Sequence, residues 1–249
     1  MNVSEHIIQY LADYGVEHIF TVSGGGSIFL NDALGKSNRI KYICCHHEQA
    51  VAMATESYAR MKKTLGVSLV TTGPGGTNAI TGIAGAWMDS VPTLTISGQV
   101  FLEQTIKDTN LRQLGIQEIN IVDIVKPITK YAVMVERPED VIYEIQKAIT
   151  IANDGRPGPT WVDIPANIQN SSIKFADYKV FKYKKSYNTS QKFIPNNVID
   201  NVTSVIKKAK KPLIYIGRGV QIANAEPYLF DFVQKTGIPF LTSWNASEI

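Results

Sequence analysis

Ile43-Cys44-Cys45-His46-His47-Glu48-Gln49-Ala50-Val51-Ala52-Met53-Ala54 is a short apolar run that passes straight into an alanine-rich segment, with one carboxylate at the junction. The run reads as a buried strand over residues 41–45. The alanine-rich part reads as a helix from Glu48 to about Met61. A Glu in the first turn of a helix has an ordinary explanation, because the positive end of the helix dipole favours it. A Glu between a buried strand and a helix also stands where α/β sheets bind their ligands. The neighbouring segments decide between these readings.

Outward from this stretch the same strand-to-helix pattern recurs. Ser4 opens a first helix carrying Ile7, Ile8, Leu11 and Ala12, and Gly15 ends it. Residues 18–22 form an apolar strand, followed by Ser23-Gly24-Gly25-Gly26-Ser27 and a helix through Phe29, Leu30 and Leu34, closed by Gly35. Residues 66–72 form a third strand that runs into Gly73-Pro74-Gly75-Gly76-Thr77-Asn78. A helix N-capped by Thr77 or Asn78 is expected there. A fourth strand over 92–97 ends at Gly98-Gln99, and a polar loop covers about 100–118. Further strands are expected at 128–135 and 160–164, separated by a helix that Pro138 opens.

This alternation predicts an α/β fold: a parallel sheet of about six strands with helices on both faces, spanning residues 1–168. Residues 169–194 are polar and lysine-rich and read as a linker. Residues 195–249 read as the start of a second α/β domain, with helices at 197–208 and 226–235 and strands at 212–216 and 238–242. Two strands and two helices do not close a core, so the chain reads as cut short within that domain.

Composition excludes several classes. The chain has 249 residues, 44% hydrophobic and 19% charged, ordinary for a soluble globular protein. Its net charge of +3 is unevenly spread. Residues 1–170 hold 13 Lys/Arg against 17 Asp/Glu, and residues 171–211 hold ten Lys against two Asp. That stripe includes Lys182, Lys184, Lys185 and Lys192 among Asn and Ser, without Arg. It reads as a solvated linker rather than a nucleic-acid surface. Two adjacent cysteines on a strand point to opposite faces and do not bridge. No leader-like segment opens the chain and no apolar run reaches membrane-spanning length, so a cytoplasmic location is expected.

Ligands of a parallel α/β sheet bind at the carboxyl ends of its strands. Residues 23–27, Glu48, residues 72–78 and Gly98-Gln99 all fall there, along one edge. Glycines permit close backbone approach, and helices beginning near Ser27, Glu48 and Thr77 would aim their N-terminal dipoles at that edge. No Lys-Ser/Thr follows the Gly73-Pro74-Gly75-Gly76 run, so it is not a phosphate-binding Walker loop. His46 and His47 lack the spacing of a metal pair, and no metal site is expected in this chain.

In their order, these residues resemble the N-terminal pyrimidine-binding domain of thiamine-diphosphate enzymes of the acetolactate synthase and pyruvate oxidase group. The resemblance rests on Tyr14-Gly15-Val16-Glu17-His18-Ile19-Phe20, Gly24-Gly25, His47-Glu48-Gln49-Ala50, Tyr58-Ala59-Arg60, Thr72-Gly73-Pro74-Gly75 with Thr77-Asn78, Asp89-Ser90-Val91-Pro92, Gly98-Gln99, Gln117-Glu118, Gly155-Arg156-Pro157-Gly158-Pro159 and Val162-Asp163-Ile164-Pro165. The part from Lys211-Pro212 to Ile238-Pro239 looks like the opening of the family's central domain.

The resemblance implies that Glu48 is catalytic and bonds the ring nitrogen N1′ of the cofactor's aminopyrimidine, which helps that ring take the proton from C2 of the thiazolium. It implies that Gly24, Gly25, Thr72, Gly73, Pro74, Gly75, Asn78 and Gln117 line the cofactor cleft with Glu48. Gln113 and Glu118 face the cleft or merely belong to a polar loop. It further implies a 2-oxo-acid substrate, and a homodimer or homotetramer with the site at the subunit interface. Mg²⁺ would be held with the diphosphate by a Gly-Asp-Gly-containing domain absent from this chain, which alone is therefore expected to be inactive. Carboligase, decarboxylase and oxidase siblings share this half-site. Gly217-Arg218-Gly219 with Ala223 is a weak dinucleotide-like pattern that leaves FAD binding open, and a non-catalytic partner subunit with the same fold remains the other alternative. His46, where the family often has Arg, and Ser23, where Pro is common, depart from the pattern.

Overall fold

Strands β1 (His18–Thr21), β2 (Lys41–Cys44), β3 (Gly66–Val70), β4 (Thr93–Gln99), β5 (Tyr131–Met134) and β6 (Pro159–Pro165) form one parallel sheet in the order β2-β1-β3-β4-β6-β5. This is a computed structural model, and it describes residues 1–107, 109–183 and 194–249. The sheet is the six-stranded α/β sheet expected from the alternation of strand and helix patterns.

Its two faces carry separate apolar cores. Helices α1 (Val3–Tyr14), α2 (Ile28–Lys36) and α6 (Val141–Asn153) cover one face, where Ile7, Leu11, Leu30, Leu34, Ile142 and Ile145 meet Ile19, Leu69, Ile96 and Val162. Helices α3 (Glu48–Lys62), α4 (Pro74–Asp89) and α5 (Ile121–Val125) cover the other, where Val51, Ala79, Ile83 and Val125 meet Phe20, Val70 and Trp161. Neighbouring residues such as Ile19 and Phe20, or Trp161 and Val162, serve opposite cores, as the two-residue strand period requires. A short helix α7 (Ala166–Gln169) follows β6 directly.

Several local expectations change. Helix α1 begins at Val3, because Asn2 caps it: Asn2 Oδ1 accepts from the Glu5 amide at 2.9 Å while Glu5 Oε2 accepts from the Asn2 amide at 2.9 Å. The run Gly73-Pro74-Gly75-Gly76 is not a loop ahead of a helix capped by Thr77 or Asn78. Helix α4 starts at Pro74, whose missing N–H costs nothing in a first turn, and Gly73 is its N-cap. The segment before β5 contains a helix, α5, capped by Asn120, whose Oδ1 accepts from the Asp123 amide.

Strand β2 corrects the reading of the opening stretch: all four of its residues are exposed, Tyr42 and Ile43 at 53% and 42%. It pairs only with β1 and forms the sheet edge, so an apolar run there leaves apolar surface uncovered. Cys44 is exposed and Cys45 half-buried, both as free thiols, and burial together with the neighbouring Cys44 pushes the Cys45 thiol up.

The first compact unit runs past residue 168, to Tyr183. The amide of Val3 donates to Ser171 O at 2.9 Å, the amide of Lys179 to Glu139 O at 3.0 Å, and Tyr178 is 7% exposed against His6. Residues expected as linker are therefore packed on the domain up to this point. Lys182 is exposed, whereas Lys184, Lys185 and Lys192 of the lysine stripe lie outside the described residues.

The second unit is described by itself. Helix α8 (Asn196–Lys208) precedes strand β7 (Ile214–Ile216), a one-turn helix α9 (Gly219–Ile222), helix α10 (Glu226–Thr236) and strand β8 (Phe240–Thr242). The two strands pair in parallel.

Candidate functional site

The carboxyl ends of β1, β2 and β3 bring the nominated residues together through one side chain that the sequence reading had passed over, Thr71. Its Oγ1 accepts from the Gly26 amide at 3.0 Å. A Cβ on Gly24 would stand 2.5 Å from the Thr71 Cβ, and a Cβ on Gly75 would stand 2.6 Å from its Cγ2. The glycine turn after β1 and the first turn of α4 thus close on opposite sides of Thr71. Larger residues at Gly24 or Gly75 would separate them.

Glu48 opens α3 at this junction and is 9% exposed. Its Oε2 accepts from Asn78 Nδ2 at 2.9 Å, which reaches across from the second turn of α4. Its Oε1 takes no hydrogen bond among the described residues and lies 3.4 Å from where a Cβ on Gly75 would stand. One carboxylate oxygen is fixed and the other is left for a donor or a shared proton. His47 is the N-cap of α3, its Nδ1 accepting from the Gln49 amide at 3.1 Å, which accounts for that histidine without a metal. Met53 is 45% exposed and gives Glu48 no cover.

Gly73 and Gln117 meet on the next side. Both have φ of 59°, the left-handed region, and Gln117 is one of few non-glycine residues there. A Cβ on Gly73 would fall 2.1 Å from Gln117 O, so glycine is required by conformation and by space. A cleft of about 360 Å³ is lined here by Gly73, Pro74, Thr77, Arg112, Gln113, Gln117, Glu118 and Ile119. Gln117 is exposed and faces this cleft. Glu118 is buried and serves its own loop, accepting from the amides of Ile106 at 2.9 Å and Leu114 at 3.3 Å.

Thr72 is placed from below. Its hydroxyl donates to Gln99 Oε1 at 2.5 Å, and Gln99 Nε2 donates to Asp163 Oδ2 at 3.0 Å. Ser97 Oγ donates to Asp163 Oδ1 at 2.5 Å and receives the Trp161 indole N–H at 2.8 Å. Burial pushes the Asp163 carboxyl up to about 7; Ser97 and Gln99 pull it down and the Glu118 charge adds to the rise.

Gly24, Thr72, Gly73, Gly75, Asn78, Glu48 and Gln117 thus belong to one cluster, with Pro74 at the mouth of its cleft. Gly25 flanks it, with open space where a side chain would be. Thr71 and Asp163 were not among the nominated site residues, and Gly26 and Gln99 fell on the ligand-binding edge without a role of their own. Thr71 stood within the third strand expected at 66–72, and only the shorter β3, ending at Val70, frees it to act as a hub. Other motif residues are scaffold. Arg60 pairs with Glu56 on its own helix and with Asp89 at the end of α4 at 2.5 Å, and Arg156 Nε donates to Ser90 Oγ at 2.6 Å. Among the described residues no group of three or more His, Cys, Asp and Glu is placed to hold a metal ion. Gly217-Arg218-Gly219 opens a helix of only four residues, shorter than the helix on which a dinucleotide loop relies.

Comparison with known proteins agrees with this geometry. Residues 1–124 match the family model described as thiamine pyrophosphate enzyme, N-terminal TPP binding domain, and residues 199–249 match the one described as thiamine pyrophosphate enzyme, central domain. The chain is similar to the acetolactate synthase large subunit of Buchnera aphidicola subsp. Schizaphis graminum, 37% identical over 96% of this chain and 41% of that protein. It is similar to the acetolactate synthase large subunit of Haemophilus influenzae, 36% identical over the same shares of the two chains. It is 34% identical to the acetolactate synthase isozyme 3 large subunit of Escherichia coli, again over 96% and 41%. The chain therefore spans about two fifths of the length of these curated relatives.

Proposed function

Because the chain belongs to the thiamine pyrophosphate enzymes, we propose that it supplies the pyrimidine side of a thiamine diphosphate site in an acetolactate synthase-like carboligase acting on 2-oxo acids. The observation that carries this reading is the state of Glu48: buried, fixed through Oε2 by Asn78, and open at Oε1. A weakly basic ring nitrogen is a suitable partner for that oxygen. Bound there, thiamine diphosphate would supply a nucleophilic carbon for chemistry at a 2-oxo-acid carbonyl.

The residues of this chain would then bind, orient and move a proton. Glu48 Oε1 would share a proton with the ring nitrogen N1′, while Asn78 holds the other carboxylate oxygen. Gly24 and Gly75 let the two turns close on Thr71, Gly25 leaves open space beside them, and the Thr72–Gly73–Pro74 turn would bound the cofactor ring. Gln117, held at positive φ against Gly73, lines the neighbouring cleft and would meet substrate or cofactor there. The diphosphate and its Mg²⁺ would be held by a part of the enzyme outside these residues.

A shared site between subunits, in a homodimer or homotetramer, accords with the exposed apolar edge at Tyr42, Ile43 and Met53 beside Glu48, and with the small residues Ala50 and Ser57 exposed on α3. No helix among the described residues is long and apolar enough to cross a membrane. Flavin finds no support in the one-turn helix after Gly217.

Glu48→Gln in the complete enzyme tests the assignment. The amide keeps the size and the bond to Asn78 but shares no proton with N1′, so turnover should fall at least about a hundredfold with the fold intact. Turnover within a few-fold of the parent would remove Glu48 from this role.

A further inference from the structure

We infer that Asp163 is a positioning residue that sets the Thr72–Gly73 turn, acting through the side-chain amide of Gln99. Its consequence for catalysis rests on the cofactor reading above; the coupling itself does not. Asp163 is 1% exposed, on β6, two strands away from the turn it would govern. The intermediate is a fully satisfied amide. Gln99 Nε2 donates to Asp163 Oδ2 and to Ile119 O, both at 3.0 Å. Gln99 Oε1 accepts from the Val100 amide at 3.0 Å and from the Thr72 hydroxyl at 2.5 Å. All four hydrogen-bonding positions of the amide are in use.

That satisfaction fixes direction. Turned over, the amide would put its carbonyl against the Asp163 carboxylate and the Ile119 carbonyl, and its NH₂ against the Val100 N–H. Asp163, with Ile119 O and the Val100 N–H, therefore holds the orientation in which Gln99 offers an acceptor to Thr72, and Asp163 supplies the one charged partner; Thr72 must donate. Thr72 O in turn accepts from the Gly75 amide at 3.3 Å, in the first turn of α4. A Cβ on Gly26 would stand 2.9 Å from Thr72 Cγ2, so the same side chain also supports the glycine turn after β1. The first turn of α4, which approaches Glu48 Oε1, and the glycine turn after β1 thus both rest on Thr72.

A carboxylate suits the task because it only accepts. Ser97 and Gln99 both donate to it, and an Asn there would turn its own NH₂ against one of them. A buried carboxylate is otherwise expensive. Asp163 also lines a cavity of about 540 Å³ with Gln99. The charged groups around that cavity are Glu118, Lys107 and Glu136; Lys107 pairs with Glu136, and Glu118 serves its own loop. Protonation of Asp163 weakens both bonds: a proton on Oδ2 meets the Gln99 N–H, and a proton on Oδ1 requires the Ser97 hydroxyl to turn from donor to acceptor, so the clamp is strongest in the ionised state.

The test uses the 249-residue chain, ¹⁵N-labelled, without cofactor. The side-chain amide of Gln99 and the backbone amides of Gly73 and Gly75 are followed from pH 5.5 to 8.5, with Gly15 and Gly237 as controls. All three are expected to move with one midpoint near 7, and to stay still in Asp163→Asn. Should that variant not fold, Thr72→Val cuts the other end: Gln99 should still titrate and Gly73 and Gly75 should not. The inference is overturned if the Gln99 side-chain amide neither titrates in the parent nor differs between the parent and Asp163→Asn. It is overturned if Gly73 and Gly75 stay still while Gln99 moves, or still follow the titration in Thr72→Val. In the complete enzyme, half-saturating thiamine diphosphate should rise about tenfold in Asp163→Asn, and Gln99→Glu added to it, which reverses the polarity of the pair, should recover part of the loss. A failed Glu48→Gln test would remove the cofactor reading and leave the spectroscopic coupling standing.

Discussion

Asp163 makes a statement about stability that runs against the usual pattern for acids. Its carboxyl lies at about 7 in the folded chain and near 3.8 when unfolded, so the folded state holds the proton more tightly. Between those values the native state binds more protons than the unfolded one, and stability falls as pH rises. The contribution is complete below about 4 and lost by the time pH passes about 7. Denaturant midpoints measured from pH 5 to pH 8 should therefore decline more in the parent than in Asp163→Asn, and equal slopes would show that the carboxyl titrates normally. Gly73 gives a second residue-scale test. A methyl group there meets Gln117 O and forces an unfavourable φ, so Gly73→Ala should cost at least about 1 kcal/mol and move Gln117. A destabilisation confined to a few tenths, read from chemical denaturation, would mean that the turn relaxes freely.

At the scale of elements, the site depends on how closely α3 and α4 approach, because Glu48 begins one and Asn78 belongs to the other. Gly82 of α4 marks the contact: a Cβ there would stand 2.5 Å from the Ala52 Cβ. Gly85, three residues on, has open space at the same position. Gly82→Ala should destabilise by about 1–3 kcal/mol through overpacking, while Gly85→Ala should stabilise by about 0.5–1 kcal/mol through helix propensity. Thermal melts of the pair check the contrast, and similar effects at both positions would place the helix contact elsewhere. These elements were largely legible in the sequence, because strand and helix periods alternate cleanly and Gly24, Glu48, Gly75 and Asn78 fall at strand ends. The exposure of β2 was not legible: an apolar run has the same composition whether its neighbour is present or not. The roles of Thr71, Gln99 and Asp163 were hidden for another reason, although Gln99 itself fell on the ligand-binding edge. Their roles come from hydrogen bonds between β3, β4 and β6, and nothing in the spacing of residues 71, 99 and 163 announces that register. The start of α4 at Pro74 was misplaced because glycines and a proline read as a loop, although proline suits a first turn.

For the molecule as a whole, the point at issue is where the first domain ends. Composition puts the boundary at residue 168, where polar and lysine-rich sequence begins; packing puts it at Tyr183. The difference reaches the site. Gln169 Nε2 donates to Gly26 O and to Ile164 O, both at 2.7 Å, so the residue just past the compositional boundary holds the glycine turn beside Glu48. Ser171 receives the Val3 amide, Tyr178 is buried in the α1–α6 core, and the Phe181 amide donates to Gln146 Oε1 at 2.8 Å. Two shortened chains separate the alternatives. One ending at Tyr183 keeps every one of these contacts and should melt cooperatively. One ending at Ile168 loses the core tyrosine and the hold on Gly26. Its stability should drop by about 3–5 kcal/mol, which for a domain of this size lowers the melting temperature by about 6–20 °C. Amide exchange at Gly26 and Ser27 should rise ahead of the rest of the domain, since the turn loses its tether while the sheet remains. If the two chains melt together and Gly26 is equally protected in both, residues 169–183 contribute nothing to the fold, and the glycine turn is held from the end of β3 by Thr71 and Thr72.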